Sequence, residues 1–239
     1  MDAYTDFAGV YDIFMDNTPY QEWADFLTEL IEKYGISKRR QYAEGVERGD
    51  GSIQEEILNS EKNLVLDLGC GTGTLTELLY QKGFDMVGVD NSEDMLNAAF
   101  AKRESSGSGI LYLCQDMREL DLYSTVGTVV LVCDSINYLL EADQVEDTFK
   151  LVNNYLYPGG LFIFDFNTLY KYEQVIGDVT IAENRDECSF IWENFYHGEE
   201  GINEYYLTIF VKETERDLFR RFTETHFQKG YTLEEMKGF

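Results

Sequence analysis

Ten consecutive residues constrain this chain more than any others: Leu64-Val65-Leu66-Asp67-Leu68-Gly69-Cys70-Gly71-Thr72-Gly73. Leu64 to Leu68 reads as a short buried strand. The glycines that follow read as a tight turn. Leu75, Leu78 and Leu79 then mark one face of a helix that starts at once. Strand, glycine turn and helix in immediate succession open a nucleotide-binding α/β fold, in which glycines let the backbone approach a ligand with a helix N-terminus behind it.

The spacing narrows the ligand. A dinucleotide fingerprint is G-x-G-x-x-G; here Gly73 comes one position early and Thr74 stands in its place. No G-K-[ST] follows, so a phosphate-binding P-loop is excluded. Asp67, at the strand end and aimed at the turn, repels a pyrophosphate and suits a ligand with an ammonium group and no phosphate. S-adenosylmethionine (SAM) is such a ligand. A second apolar strand, Met86-Val87-Gly88-Val89-Asp90, also ends in an acid, 23 residues after Asp67. An acid in that place accepts both hydroxyls of a ribose. Ser92 reads as the N-cap of the next helix.

The run from Val65 to Gly73, then Gly88-Val89-Asp90-Asn91-Ser92 with Met95-Leu96, then Gln115-Asp116-Met117, resembles the class I SAM-dependent methyltransferases from about residue 4 to residue 166. The resemblance implies a Rossmann-like α/β fold, a mostly parallel sheet of seven strands with helices on both faces, and SAM over the strand C-termini. It implies Asp67, Gly69, Cys70, Gly71, Asp90, Asn91 and Met95 as cofactor-binding residues. Asp116 is implied to accept from the adenine amino group, with Met117 at the ring. In small-molecule methyltransferases a segment like Tyr11-Asp12 folds over the cofactor, which makes Tyr11, Tyr20 and Trp23 candidate walls of the pocket.

Composition limits the partners. The net charge is −26, with 45 acids against 19 Lys and Arg, so a nucleic-acid backbone is repelled. The one basic cluster, Lys38-Arg39-Arg40, reads as a solvated loop. Cys70, Cys114, Cys133 and Cys188 show no C-x-x-C spacing, which points to reduced thiols in the cytoplasm and to no metal site. No apolar run has the length of a membrane span. The oligomeric state, monomer or homodimer, stays open.

Elsewhere the chain alternates as an α/β protein. Thr18 as N-cap and Pro19 as first helical residue start a helix whose apolar positions are Trp23, Phe26, Leu27, Leu30, Ile31 and Tyr34, stopped by Gly35. Residues 36–62 read as a surface loop, with Ser52 capping a short helix through Leu58. Strands are expected at 110–114, 128–133 and 161–166, with Tyr157-Pro158-Gly159-Gly160 as the turn before the last. Asp134, Asn137 and Tyr138 leave the fourth strand where the transferred methyl is expected. After Thr168 the period becomes two, over 179–181, 190–196, 205–211 and 218–227, with a hairpin at 197–201. This antiparallel insertion after the fifth strand resembles the lid of N-methyltransferases acting on glycine-type amines or amino sugars. Alternation puts Arg220, Phe222, Glu224 and His226 on one face of its last strand.

The expected domains are residues 1–167, the SAM-binding core with an N-terminal helical cap; 168–228, the antiparallel lid; and 229–239, the start of a C-terminal helix. That helix begins near Leu233 on the capping-box pattern Thr232-Leu233-Glu234-Glu235. Strands six and seven of the family fold are expected to be missing, leaving a five-stranded sheet. The expected activity is methyl transfer to a small-molecule acceptor, foremost an amine, with Asp134, Tyr138, Glu224 and His226 as candidate catalytic residues. An RNA or tRNA modifier on the same core, and a SAM-binding protein without turnover, are the alternatives.

Overall fold

The computed structural model describes residues 8–40, 60–213 and 218–239. The expected Ser52 helix lies outside them. The chain divides into two compact units: 1–16, 133–146 and 165–239 form one, and 17–132 with 147–164 form the other. The boundaries expected from the sequence follow the chain in order, whereas the units interleave it.

The larger unit carries a five-stranded parallel sheet in the order β3-β2-β1-β4-β5. Its strands are β1 (Leu64–Leu68), β2 (Asp85–Asp90), β3 (Leu111–Cys114), β4 (Val126–Leu131) and β5 (Leu156–Phe164). Chain order runs outward from β1 to β3 and then restarts at β4 on the other side of β1. That reversal is the switch point beside which α/β sheets bind ligands. With α1 (Ala8–Phe14) in the other unit, helices α2 (Tyr20–Tyr34), α3 (Thr74–Gln81), α4 (Glu93–Ser106) and α5 (Ala142–Tyr155) accompany these strands. Leu27, Ile31, Val65, Leu75, Leu79, Phe84, Met86, Leu96 and Val130 share one buried cluster.

Several boundaries differ from the sequence reading. Helix α2 starts at Tyr20; Pro19 is its N-cap at ψ 54°, outside helical values, and no side chain caps it. Its buried stripe is Ala24, Leu27, Thr28 and Ile31, a strict i, i+3, i+4, i+7 set, while Phe26 and Tyr34 are exposed. β4 ends at Leu131 rather than Cys133, because Cys133 and Asp134 turn into the left-handed region. β5 spans Leu156–Phe164 and contains the Tyr157-Pro158-Gly159-Gly160 segment read as a turn. Its register against β4 shifts there, Gly159 takes φ +82°, and β5 is an edge strand, where a proline without an N–H is tolerated.

The second unit is built on a four-stranded antiparallel sheet in sequential order: β6 (Thr180–Asn184), β7 (Cys188–His197), β8 (Ile202–Lys212) and β9 (Phe219–Lys229). Period two predicted all four. A π-helical turn, Lys171–Ile176, precedes them, with Tyr172 fully buried. Phe190, Ile209 and Phe222 stand in register across β7, β8 and β9. Val10 and Phe14 of α1 join that apolar cluster, Phe14 meeting Phe190 edge-on at 4.8 Å. Arg185 clasps α1 through Asp16 (2.8 and 2.9 Å) and the Ile13 carbonyl. Helix α6 (Leu233–Gly238) starts behind a complete Thr232/Glu235 capping box, as its sequence requires.

Candidate active site

In the parallel-sheet unit the glycine turn is fastened to the end of β2. The N–H groups of Gly69 and Cys70 both donate to the Val89 carbonyl, at 2.7 and 2.9 Å. Asp90 accepts from the Gly71 N–H (2.8 Å) through one oxygen and from the Ser92 N–H (2.9 Å) through the other. Gly73 caps α3 at φ +74°, a conformation open to glycine at little cost. A second constraint acts at Gly73 and at Gly88. A Cβ on Gly73 would stand 2.5 Å from the Tyr112 hydroxyl, and one on Gly88 2.6 Å from the Tyr112 ring. The buried Tyr112 fills the space both glycines leave, which explains a third glycine one position early.

Asp67 is 2% exposed and accepts from the Thr76 hydroxyl at 2.6 Å. Burial pushes its carboxyl up to about 6; Thr76 opposes the rise and the charge of Asp90 adds to it. Burial also raises Asp90, against the backbone donors of Ser92, Gly71 and Asn91. No cation acts on either carboxylate among the described residues. This pair of acceptors therefore fits a ligand that brings an ammonium and hydroxyls and lacks phosphate. The Cys70 thiol is pushed well up by burial and by both acids, which keeps it protonated.

Other residues singled out in the sequence are distributed differently. Met95 is buried in the core and its N–H meets the Ser92 cap. Asn91 is exposed, and its carbonyl accepts from the Cys114 thiol. Asp116 is held by Arg118, whose guanidinium reaches both carboxylate oxygens at 2.5 to 3.1 Å. Those bonds depress the acid, and Met117 opens the short turn between them. Asp116 therefore already has a cationic partner, which its sequence position did not reveal. Tyr20 and Trp23 meet edge-on at 5.6 Å and pack against the main core. Tyr11 lies on α1, in the other unit.

All four candidate catalytic residues fall in the antiparallel-sheet unit. Cys133 and Asp134 take φ +62° and +51° in succession, a conformation that costs side chains about 1–2 kcal/mol each. The Asp165 carboxylate, just past β5, stabilises this turn by accepting the Asp134 N–H at 2.9 Å. Backbone strain of this kind gathers at functional sites. Asp134 accepts from Gln228 (2.7 Å) and Asn167 (3.0 Å), and burial pushes it up to about 6. Tyr172 donates to Gln228 at 3.0 Å. Buried Asn137 ties three segments together. It accepts the Asn167 N–H and donates to the carbonyls of Asn167 and Lys229.

Alongside, the Tyr138 hydroxyl is 3.2 Å from His226 Nδ1, and His226 Nε2 is 3.1 Å from Glu224. Tyr205 completes the group. Its hydroxyl is 2.5 Å from that of Tyr138, and its ring stacks on His226 at 4.7 Å and 8°. The alternation rule had placed Glu224 and His226 together, and they are buried on the face shared with Gln228. It missed Tyr205, Gln228, Asn167 and Tyr172. Tyr205 was findable only through the β8–β9 register, which sets it opposite His226.

A parallel sheet with a glycine turn at its switch point, and two acids at successive strand ends, define the class I SAM-dependent methyltransferase fold. A methyltransferase-domain family profile matches residues 65–160. YqeM of Bacillus subtilis (strain 168), which carries a provisional methyltransferase name, is 34% identical over 97% of this chain and 82% of its own length. The crystal structure of a SAM-dependent methyltransferase from Clostridium acetobutylicum ATCC 824 is similar at a TM-score of 0.78 and 30% identity. That likeness covers 99% of this chain and 85% of the other. CalS10, an amino pentose methyltransferase from Micromonospora echinaspora with SAM bound, shares the fold at a TM-score of 0.68 and 18% identity, over 100% and 88% of the two chains. The chain belongs to the SAM-dependent methyltransferases, and SAM is its cofactor.

Proposed function

We propose that this methyltransferase acts on a small-molecule amine. The observation that carries the reading is the polar cluster of the antiparallel-sheet unit. Two carboxylates, the half-buried Asp134 and the buried Glu224, sit there with Tyr138 and His226, on segments that follow β4 or lie in β9. Acids in such surroundings favour a cationic or hydrogen-bond-donating acceptor. The net charge of −26 opposes an RNA substrate, and the amino pentose acceptor of CalS10 is of the same chemical kind. Four free cysteines fit a reducing, cytoplasmic setting.

Asp67 holds the cofactor's ammonium and Asp90 its ribose hydroxyls, in addition to the Gly71 and Ser92 amides it already accepts. The cofactor supplies an activated methyl group when bound. The protein's own work is to hold the acceptor lone pair in line and to exclude water. The deciding experiment measures S-adenosylhomocysteine release with a panel of amines, with unmodified tRNA, and with SAM alone. Release with amines supports the reading. Release with tRNA alone, or tight SAM binding without any turnover, overturns it.

A further inference from the structure

We propose that the acceptor amine binds as its ammonium ion and is deprotonated through a relay in which Tyr138 touches the substrate, His226 takes the proton, and Glu224 and Tyr205 are positioning residues. This inference rests on the amine reading above.

The geometry orders the donors. An ionised Glu224 only accepts, so the proton between it and His226 sits on Nε2, which leaves the Nδ1 lone pair to accept the Tyr138 hydroxyl at 3.2 Å. Tyr205 then donates to the Tyr138 oxygen at 2.5 Å. Its ring, stacked on the imidazole, fixes the plane in which Nδ1 points at Tyr138. Glu224 and His226 are buried and Tyr138 is half-buried, so Tyr138 is the member of the chain that a ligand reaches first. A buried carboxylate that sets the tautomer of a histidine, which in turn abstracts a proton through a hydroxyl, repeats the logic of a serine-protease triad with a phenol at the open end. Gln228, on the same face of β9 as Glu224 and His226, donates to Asp134, a further acid of this unit.

One N–H bond of the ammonium breaks and its electron pair stays on nitrogen. That proton goes to the Tyr138 oxygen, while the Tyr138 proton passes to His226 Nδ1. The imidazolium so formed is neutralised by Glu224 and later returns its proton to water. The freed lone pair is the nucleophile. An ammonium ion has no lone pair to offer, and at neutral pH an ordinary alkylamine is almost wholly in that form, so the relay serves a need the cofactor cannot meet.

Two measurements test this. The chain has two histidines, so 15N-histidine labelling, with His197→Asn for assignment, reads His226 alone. The Nε2–H tautomer is expected in the full chain, and its bias should be lost in Glu224→Gln. An Nδ1–H tautomer in the unsubstituted protein overturns the relay. Kinetics then follow kcat/KM against pH for primary amines whose ammonium pKa values run from about 7 to 10, with a thiol and a phenol as controls. The acid limb should be common to all amines in the unsubstituted enzyme. In Glu224→Gln it should move to each amine's own pKa, with kcat/KM at pH 7 down by about 100-fold and most of that loss recovered above the amine's pKa. Tyr205→Phe, a milder change, should give a partial shift in the same direction, and SAM affinity should hold in both variants. A loss equal at every pH marks a structural role and overturns the relay while leaving the amine reading intact. So does an acid limb that already tracks amine pKa in the unsubstituted enzyme. Turnover of thiol or phenol but no amine, or of nothing in the panel, overturns the amine reading and this inference with it.

Discussion

The two units fasten their carboxylates in opposite ways. In the parallel-sheet unit Asp67 is the penultimate residue of β1 and Asp90 the last of the adjacent β2, and their fastening is local: Thr76 is nine residues from Asp67, and Gly71 is nineteen from Asp90. In the antiparallel-sheet unit Asp134 is held by Asn167 and Gln228, the latter 94 residues on, and Tyr138 meets His226 across 88. A site fastened by local bonds is written in a short motif and is legible in the sequence. A site fastened by long-range bonds exists only once register and turns are fixed, and its parts are individually unremarkable polar residues. The first set is expected to be vulnerable to loss of a single charge, the second to loss of a structural tie.

The largest expected effect tests that vulnerability. Asn137→Ala leaves the Asn167 N–H and the carbonyls of Asn167 and Lys229 without this partner. The Asn167 carbonyl keeps the Tyr231 N–H, so two part-buried groups lose this partner, and at about 1–3 kcal/mol for each stability should fall by about 3 kcal/mol in chemical denaturation. Amide exchange should locate the loss in residues 133–146 and 165–239. A change within about 0.5 kcal/mol would mean that Asn137 is not the tie.

Asp67→Asn tests the charge. Its native pKa of about 6 lies above the unfolded value near 4, so the folded protein takes up a proton as pH falls through 6. The cost of burying the ionised form is therefore present above pH 6 and gone below pH 4. Removing the charge should stabilise the ligand-free protein at pH 7 by up to about 3 kcal/mol, a gain that shrinks to nothing by about pH 4. The same change should weaken SAM binding at least tenfold, since a charge-assisted bond is lost. In the unsubstituted protein SAM affinity should drop below pH 6. Melting curves at both pH values and calorimetry check the pair. A variant that loses both stability and affinity at pH 7 would contradict the assignment of a ligand-awaiting carboxylate.

A smaller effect is expected from Gly88→Ala. The added Cβ must displace the Tyr112 ring, at a cost of about 1–3 kcal/mol, and Gly88→Ala with Tyr112→Leu should recover part of it. The smallest is Arg118→Ala. The Arg118 side chain is about half exposed, so breaking its pair with Asp116 should change stability by less than about 1 kcal/mol. If Asp116 serves the adenine, SAM affinity should hold or improve once its competitor is gone. A clear loss would assign Arg118 itself to the site.

The sequence alone determined the parallel sheet, the glycine turn, the two strand-end acids and the four antiparallel segments. Each is encoded by residues within one or two elements: a five-residue strand with four apolar residues, a period of two, a capping box at Thr232. It misplaced the ends of β4 and β5, because the left-handed pair Cys133-Asp134 and the register shift at Pro158-Gly159 are imposed by neighbours rather than by local propensity. Only the tertiary structure decided that Asp116 is paired with Arg118, that Tyr20 and Trp23 pack on the core, and that Tyr205, Asn167, Tyr172 and Gln228 complete the polar cluster. The physical reason is the range of the forces. Hydrophobic periodicity and turn chemistry act over a few residues and can be read along the chain. A buried polar group must find a partner wherever the fold supplies one, and that partner is fixed by register and packing, not by proximity in sequence.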